Sequence, residues 1–177
     1  MKHICNFLFL AILISACNQE TDAEKAARLT QQLVDLDKAM GGVNVTDKEK
    51  AKEFIATSEQ LAPLVEKDNL EKYADVILKA AGLAKTIGLP EKSIELYRKV
   101  AEGVPGSKKA PTALFMIGFV YENDLNDLEN AKQTYEAFLQ KYPNDPDFAD
   151  DAQMALKNLG KSPEELIKEF EQNQPAQ

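Results

Sequence analysis

His3 is the only histidine of the 177-residue chain, Cys5 and Cys17 are its only cysteines, and it has no tryptophan. All three residues fall within the first seventeen positions. A hydrolase triad needs a histidine beside its serine, a thiol nucleophile needs a base, and a zinc site needs several His or Cys ligands. Without its first sixteen residues the chain offers none of these, and no histidine for haem. It retains 29 Asp and Glu, five Tyr and the Cys17 thiol. Paired carboxylates act as acid and base when their surroundings push their pKa values apart, and no spacing here places such a pair in an apolar setting. One thiol cannot close a disulfide within a chain. The expectation is a protein that is not an enzyme, with no catalytic residues, cofactor or metal.

The segment that carries those residues reads as one to be removed. Lys2 gives a short basic start, Ile4 to Ile14 is apolar except for Asn6, and Ser15-Ala16 supplies small residues. Eleven residues are too few for a membrane span, which takes about 20. Ile14-Ser15-Ala16-Cys17 resembles the lipobox of bacterial lipoproteins, in which Leu, then Ser or Ala, then Gly or Ala, precede the cysteine. Ile in place of Leu is the one departure. The resemblance implies diacylation of Cys17, cleavage before it and acylation of the new amine. Residues 1–16 are then a lipoprotein signal peptide and 17–21 a lipidated tether. An ordinary secretory signal is the alternative. Three acyl chains hold a protein at a membrane where one chain is marginal. Asn18, where an inner-membrane retention signal would have Asp, points to the outer membrane, facing the periplasm; acidic Glu20 and Asp22 leave surface exposure open.

Removal of residues 1–16 leaves 20 basic against 29 acidic residues, a net charge of −9. Arg28 and Arg98 are the only arginines. Such a surface complements neither a phosphate backbone nor an anionic headgroup layer. No nucleic acid partner is expected, and contact with the membrane falls to the lipid on Cys17.

The elements behind this surface are helical throughout, with no alternating segment to make a sheet. Thr21 and Glu24 form a capping-box pattern that starts a first helix near Asp22, with Leu29, Leu33, Leu36 and Met40 as its apolar stripe up to Gly41-Gly42. Thr46 and Glu49 open a second helix, in which Pro63 predicts a kink or an end near Leu61. Further helices are expected over about 70–87, 91–102, 111–122, 128–141 and 147–158. Ser162-Pro163-Glu164-Glu165 starts a last one that fades by Gln172. The first stripe spans two heptads, too short for a coiled coil, so it is expected to pack on the rest of the chain.

Two helix pairs repeat each other. Ile77, Ala80, Ala81 and Ala84, then Ser93, Tyr97, Val100 and Pro105, are matched by Leu114, Ile117, Gly118 and Tyr121, then Ala131, Tyr135, Phe138 and Pro143. Offsets are 3, 1 and 3 in each first helix and 4, 3 and 5 in each second, with a period of 37–38. Small residues at Ala81, Ser93, Gly118 and Ala131 let helices approach, and Tyr97 and Tyr135 are expected to wedge between one pair and the next. This pattern resembles the tetratricopeptide repeat, with a period above the usual length of about 34. The resemblance implies an all-α, right-handed α-α superhelix of about three repeats, with an N-terminal helix and a C-terminal capping helix pair. Its divisions are 22–68 (N-terminal helices, a possible degenerate repeat), 69–106 and 107–144 (repeats), 145–172 (capping helices) and 173–177 (a disordered tail). In its repeats it also resembles the tetratricopeptide proteins of Tol-Pal cell division and of β-barrel assembly in Gram-negative envelopes.

The same resemblance implies a concave face, lined by first helices, that holds a protein partner as an extended peptide or a helix. Its offsets fall on Leu78, Gly82, Lys85 and Thr86 in one repeat and on Thr112, Phe115, Phe119, Glu122 and Asn123 in the next. Phe115 and Phe119 either floor an apolar slot for the partner or pack within the solenoid. Asp145, Asp147, Asp150 and Asp151 lack the spacing of a cation loop and read as a solvated helix start. The expected function is a membrane-anchored interaction scaffold, with the monomer favoured. Surface glycan capture is the alternative class.

Overall fold

A computed structural model describes residues 20–41, 47–65 and 69–172. The signal segment 1–16, Cys17, Thr46 and the tail 173–177 lie outside the described residues, so the expectations for them are not addressed by it. The described chain is eight helices and no strand: α1 Asp22–Met40, α2 Lys48–Val65, α3 Leu70–Thr86, α4 Pro90–Ala101, α5 Ala110–Asn123, α6 Leu128–Lys141, α7 Ala149–Asn158 and α8 Pro163–Gln172.

Local chemistry sets most of the boundaries. The Thr21 hydroxyl accepts the Glu24 N–H at 3.2 Å and the Glu24 carboxylate accepts the Thr21 N–H at 2.9 Å, closing the capping box. Gly41, in the left-handed region at φ 71°, ends α1. The Asp47 carboxylate accepts the Lys50 N–H at 3.1 Å at the start of α2. At α8, Ser162 and Glu165 exchange the same reciprocal pair of bonds as Thr21 and Glu24, at 3.2 and 2.8 Å. Helix α7 begins two residues later than expected: the Asp145 carboxylate takes the N–H groups of Asp147 and Phe148 at 3.1 and 2.9 Å, which holds that stretch as a turn. Helix α2 runs past Leu61 to Val65, with Pro63 inside it. Pro63 is exposed and sits in the last turn, so it sacrifices one backbone bond. Burial of Leu61, Ala62 and Val65 outweighs that loss.

The helices pack in chain order, each on the next from α1 to α7, and α3 also touches α5. Stacking of this kind is an α solenoid of the tetratricopeptide type, in which each pair contacts its neighbours. The contact between α3 and α5 places those two helices on one side of the stack, the side that the repeat pattern assigns to the concave face. One continuous core runs from Leu29, Leu33, Leu36 and Met40 of α1 through α2, α3 and α4 to Ala113, Ile117 and Val120 of α5. A second cluster, Phe115, Ala131, Tyr135, Phe138 and Ala152, joins α5, α6 and α7. Helix α5 is apolar around most of its circumference because α4 and α6 both pack on it.

Small residues do what the repeat pattern asks of them. Ser93 is fully buried and its hydroxyl donates to the Ala81 carbonyl at 2.9 Å, so the α3–α4 approach is hydrogen-bonded. The ring of Tyr135 lies over Gly118, where a Cβ would meet its Cε1 at 2.7 Å and its Cδ1 at 2.9 Å. Tyr135 therefore fills the space within a pair, between α5 and α6, rather than the gap between pairs. The Tyr97 hydroxyl lies 3.8 Å from where a Gly82 Cβ would be, and the Asp124 carboxylate at the end of α5 adds to burial in pushing its phenol up to about 12, so Tyr97 reaches from its own pair toward the next. The difference at Tyr135 has a simple cause: Gly118 on the facing helix leaves a hole of ring size inside the pair.

Candidate protein-interaction groove

Hollows open between the odd-numbered helices. One, about 390 Å³, lies between α5 and α7 with α6 beneath. Phe115, Phe119, Glu122 and Asn123 form the α5 wall, and Asp151, Met154, Ala155 and Asn158 form the α7 wall. Tyr135 closes the floor from α6.

Phe115 serves as both core and floor. It is 8% exposed, stacked on Phe148 with centroids 4.6 Å apart, and tilted against Tyr135 at 5.6 Å. Phe119, one turn on, is half-buried, and the Lys85 ammonium of α3 lies 5.1 Å from its ring centre. Lys85 also faces Asp124 at 3.5 Å. The Tyr135 hydroxyl donates to the Glu122 carboxylate at 2.8 Å. Burial, then that bond, push the Tyr135 phenol well above its ordinary range, so it stays a donor at any physiological pH. The Asn123 amide nitrogen donates to the Phe119 carbonyl at 3.0 Å, which fixes the amide at the end of α5.

The structure thus brings Phe115, Phe119, Glu122 and Asn123 together, with Lys85 against the back of Phe119. Leu78 is half-buried against the main core, and Thr112 is half-buried in the first turn of α5; neither lines the hollow. Gly82 is half-buried near the Tyr97 hydroxyl, and the exposed Thr86 hydroxyl donates to the Gly82 carbonyl at 2.9 Å. Sequence reasoning missed the entire α7 wall. Asp151, Met154, Ala155 and Asn158 step by 3, 1 and 3 and so share a helix face. That face was the available signal, although only packing decides that it looks toward α5.

Another hollow, about 250 Å³, lies between α1 and α3 over α2, with Val34, Phe54 and Val76 among its apolar lining and Lys72 at its rim. Both of its carboxylates are paired with lysines. Lys79 bonds Asp37 at 2.7 Å and lies 5.4 Å from the Phe54 ring centre, and Asp75 faces Lys109 at 3.4 Å. Between the hollows, polar ties hold α3 to the start of α5. Glu71 accepts from the Lys108 N–H at 2.9 Å and the Ser107 hydroxyl at 3.0 Å. The Lys108 N–H, ahead of the opposing effect of burial, holds the Glu71 carboxyl below its ordinary value.

Residues 112–145, which comprise most of α5, α6 and the turn after it, match the family model of the tetratricopeptide repeat. That stretch is similar to one tetratricopeptide repeat. No curated protein and no solved structure matches the chain. Tetratricopeptide repeats are in general non-catalytic modules for protein–protein contact, and the matched repeat supplies one wall and the floor of the α5–α7 hollow. Among the described residues no group of three or more His, Cys, Asp or Glu is placed to hold a metal ion. No helix among them is long and apolar enough to cross a membrane.

Proposed function

We propose that this tetratricopeptide-repeat protein is a non-catalytic scaffold of a bacterial cell envelope, held at the outer membrane through lipid on Cys17 and facing the periplasm, where it grips a segment of a protein partner on the inner face of its solenoid. One observation carries the interaction reading. Four residues that the repeat pattern assigns to the concave face, Phe115, Phe119, Glu122 and Asn123, converge on a single hollow walled on the other side by α7. The hollow joins apolar floor to polar rim, the mixture that orients a ligand segment while burying its anchor. The anchor reading rests on Ile14-Ser15-Ala16-Cys17 and on the short reach from Cys17 to the start of α1 at Asp22, at most about 18 Å when extended. A folded body tethered so closely works on partners at the membrane surface, in an assembly or division complex.

Crosslinking in the cell with mass spectrometry, on the wild type beside Cys17→Ala, tests both parts. Acylated Cys17 in the wild type, release of the variant from the membrane fraction, and crosslinks that cluster on α5 and α7 are the expected results. Unchanged fractionation of an unacylated variant contradicts the anchor. Crosslinks confined to the outer helices contradict the groove.

A further inference from the structure

The α1–α3 and α5–α7 hollows differ in how their carboxylates are paired, and that difference specifies a ligand. Around the α1–α3 hollow each carboxylate, Asp37 or Asp75, has its own lysine. Around the α5–α7 hollow, Glu122 on one wall and Asp151 on the other have no cationic partner among the described residues. The Lys85 ammonium, beside the Phe119 ring, is taken up by Asp124. Helix α5 contains no basic residue at all, and α7 has only Lys157, which does not line the hollow. Between these carboxylates the surface is apolar: Phe119 is half-buried, and Met154 is 60% exposed at the lip.

We infer that the α5–α7 hollow takes a peptide segment that inserts one apolar side chain, of Leu, Met or Phe size, and sets a Lys or Arg within two positions of it against Glu122 or Asp151. The inference rests on the groove reading above and narrows it to a basic-flanked anchor. Burial of the anchor supplies attraction, and the unneutralised carboxylates select the flank, since complementary charge governs specificity and encounter rate more than bulk affinity. Acidic segments are repelled from the same place. Met154 suits such a site because its flexible thioether adapts to anchors of different shape.

The test uses the purified full chain in detergent and a random-peptide display library, followed by titration of the synthesised winners. Two variants accompany it. Glu122→Gln/Asp151→Asn keeps an acceptor for the Tyr135 hydroxyl and should fold as the parent does. Phe119→Ala/Met154→Ala strips the hollow. The expected result is enrichment of Lys or Arg within two positions of an apolar residue. Winners should lose about tenfold in affinity on the charge variant and weaken as salt rises from about 50 mM to about 500 mM. Winners that need the hollow but show no basic enrichment and bind the charge variant unchanged overturn this inference and leave the groove reading standing. Winners indifferent to Phe119→Ala/Met154→Ala, or no winners, overturn both.

Discussion

Gly118→Ala replaces a hydrogen with a methyl at the closest helix approach of the matched repeat. The new Cβ would lie 2.7, 2.9 and 3.2 Å from three carbons of the Tyr135 ring, where ordinary carbon contacts are about 3.5–4.0 Å. The ring must move by roughly 1 Å, and its existing contacts resist the shift. Tyr135 is fully buried, leans on Phe115, and has its hydroxyl tied to Glu122 at 2.8 Å. Overpacking costs about 1–3 kcal/mol. A ring displaced far enough to break the bond to a carboxylate adds about 1.5–3 kcal/mol. Against this, Ala in a helix interior gains about 1 kcal/mol over Gly. With the bond lost, the net expectation is destabilisation by about 1.5–5 kcal/mol. Gly82→Ala is the control, since its Cβ would meet only the Tyr97 hydroxyl at 3.8 Å, an ordinary contact. That change should stabilise by about 0.5–1 kcal/mol. Urea unfolding of the full chain, followed by circular dichroism, reads both as opposite shifts of the midpoint at unchanged slope. On a Tyr135→Leu background, with the ring gone, Gly118→Ala should cease to destabilise. Equal and stabilising effects of the two glycine substitutions would refute the account of how α5 and α6 meet.

Other consequences are as direct. Phe115→Ala should cost about 3–5 kcal/mol in urea unfolding, because it empties a buried aromatic stack, whereas Phe119→Ala at a half-open site should cost about 1 kcal/mol. Ser93→Ala removes the buried bond to the Ala81 carbonyl and should cost about 1 kcal/mol by the same assay. Glu59 of α2 bonds Lys92 and Lys99 of α4 at 2.8 Å each. Burial works against its charged form, but the two lysines win and hold its carboxyl below the ordinary value. A depressed folded-state pKa means stabilisation that is complete above the unfolded carboxylate range and lost as pH falls through the folded value. Wild type should therefore exceed Glu59→Gln in stability at pH near 7, with the gap closing in acid; a gap independent of pH would contradict the pairing.

What could be read from the sequence was what nearby residues decide. Thr21 with Glu24 and Ser162 with Glu165 fix helix starts because their bonds close within four residues. The repeat at Gly118 and Tyr135 was visible as spacing, and its meaning as close approach followed from residue size. The direction of the Tyr135 ring was not, because whether it fills its own pair or the next depends on how far apart the helices stand. That α2 runs past Leu61 to Val65 was hidden for a related reason: the local cost of Pro63 is fixed, but the burial that outweighs it comes from packing on α1 and α3. Half of the hollow was out of reach, since Asp151 and Met154 become a wall only when α7 packs beside α5. The charge contrast between the hollows is equally non-local, because Asp75 is neutralised by Lys109, thirty-four residues away.

The central claim is that the inner face between α5 and α7 holds a partner. A photo-crosslinking residue placed at Met154, on the lip of the hollow, and in a second protein at exposed Gln133, in the groove of the outer face between α4 and α6, compares the two sides of the solenoid in the living cell. The account predicts adducts from position 154 that map to one partner segment and disappear with Phe119→Ala, and none of that segment from position 133. The same segment captured from both positions, or from position 133 alone, would contradict it.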